Sequence, residues 1–119
     1  MMKRTISLTT NGSGAATAYA DAVPGGGVLY AVQLVDGDLA DGVDIAITAE
    51  EANLSIPLLT KADFNSDQMV YPRVATALNT DGSALTNYAE PIVIGRIKAV
   101  IAQGGDTKTG SVVLYIREL

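Results

Sequence analysis

Turn signals recur roughly every ten residues along this sequence, and their spacing constrains the fold more than any other feature. Asn-Gly, Asp-Gly and Pro-Gly steps supply the turns, because these residues tolerate a positive φ or fix the chain direction. No segment between the turns shows the 3.6-residue apolar period of a helix. The pattern therefore predicts an all-β protein of short antiparallel strands. We expect a single-domain sandwich or jelly-roll-like barrel over residues 1–119.

Alternation of apolar and polar side chains locates the individual strands. Strands are predicted at 1–10, 15–20, 28–35, 43–48, 54–60, from Ile92, at 96–103 and at 111–117. Segment 69–74 carries the tripeptide Tyr71-Pro72-Arg73. Segment 28–35 is apolar on both faces, which is typical of a central strand covered on both sides. Pro57 has no N–H to donate, so its segment is predicted to be an edge strand or a bulge. Segment 61–67 is predicted to be a loop or one helical turn, 79–83 a turn and 84–90 irregular.

The last quarter of the chain predicts a β-hairpin. An alternating strand from Arg96 to Gln103 reaches a Gly-Gly-Asp turn, and a second strand from Ser111 to Arg117 returns. We expect the loop from Gly104 to Gly110 to project from the domain. A phosphate loop needs Gly-Lys-Ser/Thr at the start of a helix, but here a strand follows, so phosphate binding is not predicted.

Composition excludes zinc enzymes and hydrolases of the Ser-His-Asp type. The chain contains no histidine and no cysteine, so the commonest general base and the usual zinc ligands are missing. Ser-His-Asp hydrolysis is excluded for the same reason. The spacing of the glutamates and of Asp63 selects no carboxylate pair for glycoside hydrolysis. The sequence therefore predicts a protein that is not an enzyme and has no cofactor.

The charge of the chain limits its partners. The net charge is −5 and the isoelectric point is about 4.4. An acidic domain is repelled by phosphate backbones and by anionic membrane surfaces, so neither nucleic acid nor membrane is expected as a partner. No apolar run approaches the roughly 18 residues of a membrane span, and the start lacks the apolar region of a signal peptide.

A run of aspartates is the best candidate for a metal site. Its members are Asp36, Asp38, Asp41 and Asp44. Calcium takes several oxygen ligands from a short loop, but the EF-hand spacing fails, because Ala40 and Ile47 occupy the fifth and twelfth positions counted from Asp36. No metal is predicted: the aspartates are interpreted as a solvated turn, with a weak calcium site of another kind as the alternative.

Five residues are candidates for contacts between subunits: Tyr71, Arg73, Arg96, Asp106 and Lys108. Each arginine lies near a predicted strand and is a candidate for pairing with a carboxylate across a subunit boundary, or for an ordinary pair within the chain. Tyrosine offers apolar area with a polar tip, so Tyr30, Tyr71, Tyr88 and Tyr115 are interpreted as interface anchors or as core or rim residues of one subunit. Asp106 and Lys108 lie in the terminal loop and meet either solvent or a neighbouring subunit.

The order of several segments resembles a known class of protein. These segments are TTNGSGAATAY, VLYAVQLVDGDLADGVDIAIT, the tripeptide YPR at 71–73, NTDGSAL and RIKAVIAQGGDTKTGSVVLYI. Together they resemble small β proteins encoded in the structural-gene modules of tailed bacteriophages, near the major capsid protein gene. The resemblance covers nearly the whole chain, but its motifs are turns and strands, so no catalytic residue is carried over.

The resemblance implies a virion protein, with capsid decoration (cement) proteins as the best-fitting class. Such a protein would be assembled in the host cytoplasm, bind the major capsid protein on the capsid exterior, and stabilise the lattice as a homo-oligomer, with a trimer favoured. The alternatives are a head–tail connector, tail or fibre-base protein. A ligand- or carbohydrate-binding β-sandwich module is the alternative from a different class, although few aromatic residues are present to stack on sugars.

Overall fold

The computed structural model describes residues 1–75, 80–83 and 87–119. No helix occurs in these ranges, so none there is long and apolar enough to cross a membrane. The strands are β1 Met2–Thr9, β2 Ala16–Ala20, β3 Gly27–Val35, β4 Asp44–Glu51, β5 Leu54–Lys61, β6 Gln68–Val70, β7 Val74–Ala75, β8 Tyr88–Ala89, β9 Ile92–Val93, β10 Arg96–Ala102 and β11 Thr109–Glu118. The prediction of an all-β fold is confirmed.

The strands form two main antiparallel sheets. In sheet A the order is β1-β11-β3-β6, and β9 also pairs with β3. In sheet B the order is β2-β10-β4-β5. Strands β7 and β8 pair with each other in a separate two-stranded ladder. The predicted turn at 79–83 and the irregular segment at 84–90 lie partly outside the described residues; within them, Asp81 Oδ1 accepts a hydrogen bond from the Ser83 N–H at 3.0 Å.

A single core lies between sheets A and B. Alternate side chains point inward because successive residues of a strand face opposite sides. The inward residues of three strands are almost fully buried: Ile45, Ile47 and Ala49 of β4, Ile97, Ala99 and Ile101 of β10, and Val112, Leu114 and Ile116 of β11. Phe64 completes this core from the connection after β5, and its N–H donates to the Val43 carbonyl at 3.0 Å. Residues 62–67 are therefore a loop, the first of the two predicted alternatives.

The prediction of a terminal hairpin is wrong. Strand β10 pairs with β2 and β4 in sheet B, whereas β11 pairs with β1 and β3 in sheet A. The connection between them crosses from one sheet to the other, and so does the connection between β1 and β2. Two alternating strands joined by a short loop can bury their apolar faces side by side in one sheet or from two sheets, and here they contribute to the core from different sheets.

The two crossing connections hold each other in place. Thr10, which is 4% exposed, donates from Oγ1 to the Gly105 carbonyl at 2.6 Å and accepts from the Lys108 N–H at 2.7 Å. The Gly104 N–H donates to the Gly14 carbonyl at 2.8 Å. The sequence predicted that the terminal loop projects from the domain, and this prediction is wrong. The loop packs against the loop that follows β1.

Strand β3 lies at the centre of sheet A, as predicted. The expectation that both of its faces are covered is only partly met, since Tyr30 is 41% exposed. The register with β11 shifts so that Tyr115 pairs with Ala31 and Ile116 with Leu29, which leaves Tyr30 as the extra residue of a bulge. The bulge changes the phase of alternation, which explains why this segment is apolar on both faces.

Strand β5 is the edge strand of sheet B, and its register with β4 shifts beside Pro57. Both predictions for this proline are confirmed. Strand β6 ends at Val70, and Pro72, which has no N–H to donate, follows it two residues later.

Candidate interaction surface

The structure distributes the predicted interface residues over three places. Tyr71 and Arg73 follow β6 and lie on the outer face of sheet A, against Tyr30. Arg96 lies on the outer face of sheet B. Asp106 and Lys108 lie at the end of the sandwich where the chain crosses between sheets. These residues therefore do not form one site, and each place has its own chemistry.

The outer face of sheet A carries a cluster of exposed aromatic rings. Tyr30 and Tyr71 are 41% and 54% exposed, and their rings meet edge to face with centroids 5.9 Å apart and an interplanar angle of 81°. The Arg73 guanidinium lies 5.9 Å from the centroid of the Tyr30 ring. Its Nη1 donates to the carbonyls of Tyr30 at 3.2 Å and Pro72 at 2.6 Å. Tyr30 thus anchors both other side chains.

This cluster continues across the sheet. Tyr115 donates from its hydroxyl to Gln33 Oε1 at 3.3 Å, and Lys3 Nζ lies 5.7 Å from the centroid of the Tyr115 ring. Met69, 45% exposed, pairs with Gln33 in the ladder of β3 and β6. We name the surface formed by Lys3, Tyr30, Met69, Tyr71, Arg73 and Tyr115 the aromatic face. Tyr, Met and Arg are enriched in protein–protein interfaces, and Tyr and Arg dominate binding hot spots.

The aromatic face carries cations without matching carboxylates. In the part of the chain that the structure describes, neither Lys3 nor Arg73 forms an ion pair. Arg117, on the same sheet, pairs with Glu90. The face is therefore positive in a chain whose net charge is −5.

The predicted aspartate turn lies at the end of the sandwich and serves the backbone. Asp38 Oδ1 accepts from the Thr109 N–H at 2.6 Å, and this hydrogen bond holds the pKa of Asp38 below its ordinary value. Asp44 Oδ1 accepts from the Asp63 N–H at 3.0 Å. Within the described ranges, no group of three or more acidic side chains is arranged to hold a metal ion. The loops use these carboxylates to bind backbone N–H groups.

Asp36 has a different environment from the other aspartates. Its Oδ1 is buried and has no hydrogen-bond partner among the residues that the structure describes. Burial raises the pKa of Asp36, and the charges of Asp41, Asp67 and Asp38 raise it further. Negative charge is thus concentrated here, and we name this region the acidic end; its members are Asp36, Asp38, Asp41, Asp44, Asp63 and Asp67.

The outer face of sheet B carries one cation–π contact and one ion pair. The Arg96 guanidinium lies 3.8 Å from the centroid of the Tyr19 ring, and Lys98 pairs with Glu50 at 3.8 Å. In the register, Arg96 also lies opposite Glu50. Arg96 thus has an aromatic partner in its own chain but no ion pair among the described residues, so its pairing with a carboxylate, within the chain or across a subunit boundary, stays a prediction.

An apolar groove lies between the edge of sheet B and the segment around β9. It has a volume of about 400 Å³ and is lined mainly by Ile56, Pro57, Val74, Ile92 and Ile94. Ile92 is 53% exposed and Val74 is 41% exposed. Tyr88 of β8, beside the groove in the fold, is 72% exposed. This groove is a second exposed apolar surface, and its residue Val74 directly follows Arg73 of the aromatic face in the chain.

Sequence reasoning missed Met69 and the groove. Period-two alternation identifies the two faces of a strand but not which one remains uncovered, so Ile92 gave no signal beyond the start of a strand. Met69 lies two residues before Tyr71, and side chains two residues apart in an extended segment face the same side, so its position was a usable signal. Comparison of the chain with protein-family models, with curated proteins and with solved structures found no match.

Proposed function

We propose that this protein is a non-enzymatic structural component of a tailed-phage virion and acts as a capsid decoration (cement) protein. The resemblance of nearly the whole chain to small β proteins encoded in the structural-gene modules of tailed bacteriophages supports the proposal. The structural observation that carries it is the presence of two exposed surfaces of different chemistry, the aromatic face and the apolar groove, on one small β domain. A cement protein needs one surface for its own copies and another for the capsid.

In this proposal the groove receives an extended apolar segment of the major capsid protein. The groove borders β5, the edge strand of sheet B. Pro57 has no N–H to donate, so the bound segment would be held mainly by side-chain contacts with residues such as Ile92 and Val74. Burial of apolar area contributes about 25 cal/mol per Å², so a groove of this size gives modest affinity per copy.

Oligomerisation converts these modest contacts into stable attachment. A homo-oligomer, for which we favour a trimer, presents the same groove several times, and linked contacts bind far more tightly than one contact alone. When the grooves of one oligomer hold different capsid subunits, burial spans the seams between those subunits. This is how the protein would stabilise the lattice from the capsid exterior.

The test uses particles of the phage that encodes the protein. We expect the protein in purified virions in a fixed ratio to the major capsid protein, with antibody labelling on the capsid exterior and with terminase, portal and capsid genes beside its gene. Particles that lack it should release DNA at a lower temperature, and added protein should restore stability.

Variants connect this test to the groove. Ile92→Asp places a charge at the groove and should abolish restoration, whereas Thr17→Asp, an exposed change on β2, should not. Absence of the protein from virions would refute the proposal. Labelling confined to the tail would replace it with the alternative of a connector, tail or fibre-base protein.

A further inference from the structure

We propose that the aromatic face of one copy docks on the acidic end of a second copy. The inference rests on the proposed function, since a cement protein acts as an oligomer. It concerns only the contact between two copies of this chain, however, so it can be tested without a capsid.

Arg73 is positioned for a carboxylate that its own chain does not provide. Its guanidinium is held by two backbone carbonyls and by the ring of Tyr30, and it forms no ion pair among the described residues. A side chain that is already ordered loses little entropy on binding. The planar guanidinium matches a carboxylate better than an ammonium does. The face therefore fits an acidic surface, and the exposed rings of Tyr30 and Tyr71 add apolar area around the charge.

The acidic end supplies carboxylates that are not needed for the fold. Asp41 and Asp63 are exposed, and in the described part of the chain neither side chain accepts a hydrogen bond or forms an ion pair. Lys61 and Lys108, the cations nearest in the fold, are half-buried and are outnumbered by the aspartates. The acidic end therefore presents a net negative surface to a partner.

Charge selects the pairing of these two surfaces. If two aromatic faces met, Arg73 and Lys3 of one copy would lie against the same cations of the other copy and would be repelled. Two acidic ends would repel each other through their carboxylates. Contact between a face and an end pairs opposite charges. The two surfaces adjoin in one chain, where Met69 follows Asp67 by two residues, but Arg73 forms no ion pair with its own aspartates among the described residues. Arg73 is held against Tyr30, which lies six residues before Asp36, roughly 20 Å in an extended chain. The occupant is therefore a second copy, and repeated contacts of this kind can close into a ring.

The experiment measures the mass of the full-length protein in solution by light scattering and sedimentation. The face variant is Tyr71→Ala/Arg73→Ala, and the end variant is Asp41→Asn/Asp63→Asn. The matched control, Tyr19→Ala/Arg96→Ala, removes the same residue types from the outer face of sheet B. We expect the wild type and the control to form oligomers, and each test variant to associate at least about 30-fold more weakly, as hot-spot losses do. Rising salt should weaken the wild-type oligomer, because it screens the charges.

Mixing the two test variants gives the sharpest result. One intact face and one intact end remain in the mixture, so a one-to-one complex should form although neither variant associates alone. Circular dichroism and thermal melting establish that each variant is folded. A mixture that stays monomeric, a monomeric wild type, or oligomers in both variants would each overturn the inference.

Virion binding separates this inference from the proposed function. If the face variant still oligomerises but no longer binds capsids, the aromatic face contacts the capsid protein, and the inference fails while the proposed function stands. If the face and end variants lose association and their mixture recovers it, but the protein is absent from virions, the contact stands and the proposed function fails.

Discussion

Replacement of Thr10 by valine tests how the two sheets are joined. Thr10 is the buried polar residue where both crossing connections meet, and its hydroxyl donates to the Gly105 carbonyl at 2.6 Å while it accepts from the Lys108 N–H at 2.7 Å. Valine has nearly the same shape but no hydroxyl. The substitution therefore leaves one carbonyl and one N–H without their partners and leaves the apolar packing in place.

The size of the effect follows from these two groups. A buried polar group that loses its partner costs about 1–3 kcal/mol, and the half-buried setting of Gly105 and Lys108 places each in the lower part of that range. We expect Thr10→Val to lower the free energy of unfolding by about 2–3 kcal/mol. For a domain of this size, that corresponds to a decrease of about 10 °C in Tm.

Urea titration and thermal melting of three proteins give the answer. Thr10→Ser is the matched control, because it keeps the hydroxyl and loses one methyl group, for an expected loss of about 1 kcal/mol. Thr10→Val should lower the free energy of unfolding clearly more than Thr10→Ser does. If Thr10→Val costs less than Thr10→Ser, the hydroxyl does not hold the connections together.

Three further predictions concern backbone conformation and pH. Gly95→Ala should lower the urea midpoint more than Gly25→Ala: the two φ angles are 77° and 76°, so both variants incur about 1 kcal/mol of left-handed strain, but only at Gly95 does the new Cβ collide with the Glu50 carbonyl. Equal losses would show that the strand moves aside. Asp36→Asn should raise Tm at pH 7, because the pKa of Asp36 is above 3.8 in the folded protein and ionisation therefore opposes folding. The difference in Tm between the variant and the wild type should shrink as the pH falls from 7 towards 4. A difference that stays constant over this range would contradict the prediction. Asp38→Asn should lower Tm at neutral pH. The pKa of Asp38 is below 3.8 in the folded protein, so its ionised carboxylate stabilises the fold above pH 3.8, and this stabilisation is lost as the pH falls through the pKa of the folded protein. If the Tm of the variant stays below that of the wild type by the same amount in acid, the charge of Asp38 is not the source of the stabilisation.

The strand positions were predictable because each strand has one buried face. Ile45 and Ile47 alternate with smaller or polar residues in β4, as do Ile97 and Ile101 in β10, and this alternation survives in any sheet that covers one face. Pro57 was equally informative, because a missing N–H restricts a strand whatever its neighbours are. These features depend on local chemistry alone.

The candidate interaction surface was predictable only by residue type. Tyr71 and Arg73 were candidates because such residues favour interfaces, but their contact with Tyr30 depends on the pairing of β6 with β3. Likewise, Arg96 could not be assigned to an internal partner until β2 placed Tyr19 beside it. The alternation of apolar and polar residues within a segment does not reveal which distant segment it contacts.

The sequence by itself determined where the chain is extended, where it turns and which side chains share one face of a strand, because these follow from period-two alternation and from the φ preferences of Gly, Asn and Asp. Only the tertiary structure decided which strand belongs to which sheet. Ile101 of β10 and Val112 of β11 are buried equally well side by side or across the core. The choice was made by distant contacts such as those of Thr10 with Gly105 and Lys108, which turned an apparent hairpin into the connection between two sheets.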